Sequence, residues 1–154
     1  MTIVVGLGNP LRQDEGIGVR ILQELEHRFG DWRPDVRLLD IGTAGMRLLD
    51  ALAGADRALI VDCARMGEEP GTMLRFMPQE VASRRDGGSI TPHAGDLLQL
   101  IDLARRLGQC SDKIVLFGIE PLSLGYAAEL SPLLEERLSL YCGRILEEID
   151  HPTA

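Results

Sequence analysis

A glutamate, an aspartate and a histidine, Glu15, Asp62 and His93, are the side chains whose types suit one shared chemistry. Two carboxylates and an imidazole make a mixed oxygen and nitrogen ligand set for a borderline divalent metal, and three such ligands leave coordination positions open. Asp62 directly follows Ala58-Leu59-Ile60-Val61, a run with the character of a central, doubly buried strand. A carboxylate there is costly unless it is paired, hydrogen-bonded or bound to metal. Glu15 comes just beyond a glycine-rich turn, and His93 follows Pro92 at the opening of a helix. Of the other histidines, His27 lies on the polar side of a helix and His151 in the tail. Plainer readings exist. Acids at a helix start cap it and complement its dipole, so Asp14 can cap while Glu15 faces the strand ends. His93 can equally be a capping histidine, and ligands scattered over three loops have no diagnostic spacing.

Other chemistries lack their signatures. Gly6-Leu7-Gly8-Asn9-Pro10 resembles a dinucleotide fingerprint, but position 11 is Leu where the third glycine belongs. Pro10 also interrupts the row of backbone N–H groups that would cradle phosphate. The chain has no G-x-S-x-G, no H-E-x-x-H and no Walker lysine, so the common hydrolase mechanisms are not signalled.

The elements that must position these residues alternate along the chain. Strand-like runs are Thr2–Leu7, Val36–Asp40, Arg57–Val61 ending on Asp62, Thr72–Phe76 as an edge strand, and Lys113–Ile119. A helix begins near Asp14, with Ile17, Ile21, Leu22, Leu25 and Phe29 on one stripe. A second covers Ala44–Ala53, capped by Thr43 and stopped at Gly54. A third carries Leu97, Leu98, Ile101, Ala104 and Leu107 and stops at Gly108. The last is opened by Ser131-Pro132 and carries Leu134, Leu138, Tyr141, Ile145 and Ile149. The polar segment from Glu80 to Pro92 reads as a mobile loop that helps receive substrate.

Strands separated by helices imply a parallel sheet covered on both faces. The expected fold is a single α/β domain over residues 1–154: a three-layer sandwich with a mostly parallel, twisted five-stranded sheet and helices on both faces. Ligands bind such sheets beyond the carboxyl ends of the strands. That edge should collect Glu15, Asp40, Asp62 and Glu120.

Composition narrows the partners. The chain has 16 basic and 24 acidic side chains, a formal net charge of −8. Non-specific nucleic-acid binding, which runs on phosphate neutralisation, is disfavoured. No apolar run reaches the ~20 residues of a membrane helix, and the N-terminus has no basic stretch of a signal peptide. A cytoplasmic protein with no membrane or nucleic-acid partner is expected. Cys63, Cys110 and Cys142 are odd in number and widely spaced, which predicts buried, reduced thiols rather than a disulfide framework.

The blocks now in hand resemble the hydrogenase maturation proteases, whose opening strand, glycine turn and acid pair stand here as Gly6-Leu7-Gly8-Asn9-Pro10-Leu11-Arg12-Gln13-Asp14-Glu15-Gly16-Ile17-Gly18. Asp40-Ile41-Gly42-Thr43-Ala44-Gly45, the strand ending in Asp62, Thr91-Pro92-His93 and Phe117-Gly118-Ile119-Glu120-Pro121 resemble further blocks of that family. The resemblance implies an endopeptidase that removes a C-terminal extension from the large-subunit precursor of a nickel-containing hydrogenase. It implies Glu15, Asp62 and His93 as metal contacts, with Asp40 and Asp62 as candidate catalytic carboxylates of an aspartyl-type protease. It further implies nickel supplied by the substrate protein, or another divalent metal in the isolated protein. Either metal or carboxylate would activate water. Two other readings stand beside it. Ile3 to Pro10 also resembles the opening of peptidyl-tRNA hydrolase, but Gln13-Asp14-Glu15-Gly16 offers no histidine where that esterase carries its catalytic one. The other is a non-catalytic metal- or protein-binding module in which the acids merely cap helices.

Overall fold

A computed structural model describes residues 1–29, 33–42, 45–80 and 94–153. Its centre is a five-stranded sheet of β1 (Thr2–Leu7), β2 (Val36–Gly42), β3 (Arg57–Cys63), β4 (Met73–Phe76) and β5 (Ile114–Ile119), in the order β2-β1-β3-β5-β4. Four strands are parallel, and β4 runs antiparallel along β5 at the edge. The helices are α1 (Ile17–Phe29), α2 (Met46–Leu52), α3 (Ala94–Arg106) and α4 (Pro132–Asp150), with a 3-10 turn over Gln13–Gly16 leading into α1.

The period of two in each strand divides the core into two layers. Ile3, Val5, Leu7, Ala58, Ile60, Ile114 and Leu116 pack against α2 and α3 through Leu48, Leu52, Leu97 and Ile101. Val4, Leu59, Val61, Val115, Phe117 and Ile119 pack against α1 and α4 through Ile17, Ile21, Leu25, Leu138, Tyr141 and Ile145. This is the expected three-layer α/β sandwich. All five residues of the stripe predicted for the last helix are buried.

Local details depart from expectation. α2 begins at Met46, not Ala44; its N-cap, Gly45, is extended and offers no side chain, while Thr43 lies outside the described residues. Gly54 is not among the glycines of positive φ. The helix is closed instead by Ala53 N–H to Leu49 O and Ala55 N–H to Leu52 O. Gly108, at φ 66°, does terminate α3. Leu107 is 56% exposed because it falls in that terminal turn, past the buried stripe. Cys63 and Cys142 are buried, but Cys110 is only half-buried, since it sits in the connection after α3 and not in an element. The predicted mobile segment lies outside the described residues from 81 onward.

At the amino ends of the strands, α4 is fastened by charge. Glu148 is 5% exposed and accepts from Arg57 Nη2 at 2.6 Å and from Arg75 Nε at 2.9 Å. Burial on its own would raise the Glu148 pKa, but the hydrogen bonds of Arg75 and the charges of Arg75 and Arg57 outweigh it, and the net shift is downward. The sequence signal was a carboxylate one position from Ile149, on the buried stripe itself.

Candidate active site

The turn after β1 is set by glycines that allow backbone to meet backbone. Gly8 has φ 120°, a conformation that L side chains rarely adopt. A Cβ on Gly18 would lie 2.7 Å from the carbonyl oxygens of both Leu7 and Val61. The first turn of α1 is therefore pressed onto β1 and β3 at the residue preceding Asp62. That contact brings the 3-10 turn carrying Glu15 beside the strand carrying Asp62.

Asp62 lies within β3 and not beyond it, in register with Gly118 of β5. By the period of two it shares the face of Ala58 and Ile60, toward α2 and α3, and is 9% exposed. A side chain at Gly118 would crowd Met66, Ala64 and Phe76, so glycine there leaves room at the strand ends. Glu15 carries a side chain 15% exposed, with Arg12 Nη1 3.7 Å from its Oε2.

Cys63 reports the electrostatics of this edge. Its thiol is pushed up in pKa first by burial and then by the negative charges of Asp62, Asp14, Glu15 and Glu120. The expected gathering of acids at the carboxyl ends of the strands is thus present for Glu15, Asp62 and Glu120. Such an edge favours a cation over an anion.

The acids divide by what they hold. Glu120 is buried and accepts the backbone N–H groups of Met66 and Glu68, each at 2.8 Å, so it shapes the connection after β3. Asp40 lies within β2 near its carboxyl end, is exposed, and accepts the N–H of Gly42 at 3.0 Å where the register with β1 shifts. Its neighbours Leu39 and Ile41 face α2 and α3, which turns Asp40 toward the opposite side of the sheet from Asp62. β1 also runs between their strands.

Asp14 departs from its capping role. It is fully buried, and its carboxylate accepts Leu122 N–H at 2.9 Å, Ser123 N–H at 3.0 Å, and Ser131 N–H at 2.7 Å and hydroxyl at 2.8 Å. Ser131 precedes α4 but makes no side-chain cap, because its hydroxyl is turned to Asp14. The two preceding residues hold the same loop. Gln13 Oε1 accepts the Ser123 hydroxyl and Gly125 N–H, and Gln13 N–H reaches Ala127 O at 2.8 Å. Arg12 donates to Leu124 O at 3.1 Å and lies 5.1 Å from the centroid of the Tyr126 ring. Sequence reasoning missed this bracket; the partners lie more than a hundred residues apart, and no local pattern marks them.

His93 lies outside the described residues. Among the described residues no three His, Cys, Asp or Glu side chains form a group able to hold a metal. The oxygen half of the expected ligand set, Glu15 and Asp62, is nevertheless brought to one sheet edge. Also among the described residues, no helix is long and apolar enough to cross a membrane.

The hydrogenase maturation protease family model (HycI) matches residues 19–148. The hydrogenase 2 maturation protease of Escherichia coli strain K12 is 38% identical over 135 residues, 86% of this chain and 80% of that one. A hydrogenase expression/formation protein, HupD of Bradyrhizobium diazoefficiens, is 34% identical over 139 residues, 89% of this chain and 71% of that one. The solved hydrogenase maturating endopeptidase HybD from E. coli shares the fold with a TM-score of 0.81 at 32% identity, covering 97% of this chain and 91% of that one.

Proposed function

The chain belongs to the hydrogenase maturation protease family, and from that premise we propose that it removes a C-terminal extension from a hydrogenase large-subunit precursor after nickel has been inserted. It is an endopeptidase. The finer reading assigns Glu15, Asp62 and His93 to the precursor's nickel, and Asp62 and Asp40 as the carboxylates available to the hydrolytic step. It also assigns the reaction to the cytoplasm.

The observation that carries this reading is the seating of Gly18 on the Val61 carbonyl, which brings Glu15 and Asp62 to one acidic edge. Two carboxylates with one imidazole suit a borderline metal but are too few to hold it tightly alone. A metal already held by the substrate would complete its coordination there and set one peptide bond beside the carboxylates, an advantage of positioning. Nickel in this scheme is part of the substrate.

The test incubates the purified protein with its cognate precursor, with and without nickel, and follows loss of the extension by mass. Cleavage of the nickel-loaded form alone is expected. His93→Ala, Glu15→Gln and Asp62→Asn should each abolish it while the far-ultraviolet spectrum is kept. Equal cleavage of both precursor forms would remove nickel recognition but leave proteolysis. Full activity of His93→Ala would remove that residue from the site.

A further inference from the structure

We infer that Tyr126 is a specificity-determining residue of this peptidase site: a fixed aromatic contact on which the precursor's surface beside the scissile segment rests. This rests on the proteolytic reading above and deepens it. The Tyr126 side chain is 87% exposed, the most exposed of the large apolar residues described. An exposed ring on a loose loop would call for no explanation, but the loop that carries Tyr126 is tied along its length. Asp14 draws Leu122, Ser123 and Ser131 to one carboxylate, Gln13 takes Gly125 and Ala127, and Arg12 takes Leu124. Three consecutive residues of the glycine-turn block thus hold the loop from end to end, and the next residue is Glu15.

The same guanidinium joins the ring to the site. Arg12 lies against Tyr126 on one side and 3.7 Å from the Glu15 carboxylate on another. Leu11, 65% exposed, precedes Arg12, whose backbone bridges Ala127 next to the ring, and Leu122, 54% exposed, lies in the same tied loop. Apolar side chains exposed together on one rigid lip mark contact surfaces. Tyrosine suits such a place, because it supplies a large amphipathic face with little conformational entropy to lose on binding. The occupant is the folded protein substrate, since the lip stands beside the acids that receive its metal and not at the remote end of the sheet.

Steady-state cleavage of the nickel-loaded precursor tests this. Tyr126→Ala should lower kcat/KM about ten-fold or more, through a raised KM, as expected for truncating an aromatic anchor. Tyr126→Phe should stay near wild type, because the ring face and not the hydroxyl makes the contact. Leu107→Ala, also a large exposed apolar side chain but at the far end of α3, serves as the control and should change nothing. The melting temperature of Tyr126→Ala should match wild type; if it falls, Tyr126→Gln, which keeps a side chain over Arg12, takes its place in the assay. A wild-type protein that cleaves, with Tyr126→Ala at the wild-type KM, overturns the inference alone. A wild-type protein that cleaves no precursor overturns the proteolytic reading and the inference with it.

Discussion

Asp14 and Ser131 meet twice: one carboxylate oxygen accepts the serine's backbone N–H at 2.7 Å, and the other accepts its hydroxyl at 2.8 Å. A residue of the glutamate-bearing turn is therefore fastened to the residue that precedes α4. With Leu122 and Ser123 added, four donors converge on a side chain that water does not reach.

Replacing Asp14 should accordingly be costly. Asp14→Ala leaves those donors unsatisfied, and hydrogen bonds to a charged group are worth ~1.5–3 kcal/mol each, so a loss of about 3 kcal/mol or more is expected. Asp14→Asn should also destabilise, because either amide orientation turns its NH2 toward a backbone N–H. Urea denaturation measures both. An asparagine variant within ~0.5 kcal/mol of wild type would show that the carboxylate is not the organising group.

Gly18→Ala sets two effects against each other. Alanine gains up to ~1 kcal/mol of helix propensity. Its Cβ would stand 2.7 Å from two backbone oxygens, on strands that cannot yield as a side chain can. Overpacking of that kind costs ~1–3 kcal/mol, so net destabilisation is expected. Activity should fall further than stability, because the shift separates the turn of Glu15 from the strand of Asp62. Thermal melting and precursor cleavage, measured together, check both parts; a stabilised variant would refute the packing argument.

Glu148 gives the protein a defined acid sensitivity. Its pKa is lowered on folding below the ordinary 4.5. A depressed carboxylate contributes stability that is complete above the unfolded pKa and is lost as pH falls through the folded one. The contribution of Glu148 should therefore be full above about pH 5 and should be lost progressively below pH 4.5, as the pH falls through the lowered folded pKa. Glu148→Gln leaves Arg57, itself 8% exposed, without its buried counter-ion, at a cost of ~3–5 kcal/mol near neutrality. Unfolding free energies of wild type and variant, measured from pH 7 to pH 3, should converge on acidification. A difference that stays constant with pH would rule out the ion pair as its cause.

Much of this protein is determined by sequence alone. Burial has a period, two in strands and 3.6 in helices, and each period is visible in a stretch of a few residues. The doubly buried run up to Asp62 announced a central strand, the stripe from Leu134 to Ile149 announced α4, and their alternation implied a parallel sheet with its site at the carboxyl ends. Gly6 and Gly8 marked a turn after the first strand, while the close approach of Gly18 to two strands appeared only in the fold. Which polar groups meet was decided by tertiary structure. Asp14 was read as a cap and Ser131 as another, but neither side chain caps its helix; their pairing depends on two segments over a hundred residues apart arriving at one edge. Asp40 and Asp62 were both read to that edge; that they face opposite sides of the sheet, with β1 between their strands, is a matter of the strand alternation in the folded sheet. A hydrogen bond has direction and a reach of about 3 Å. No period records it, so it exists only once the backbone has fixed both ends.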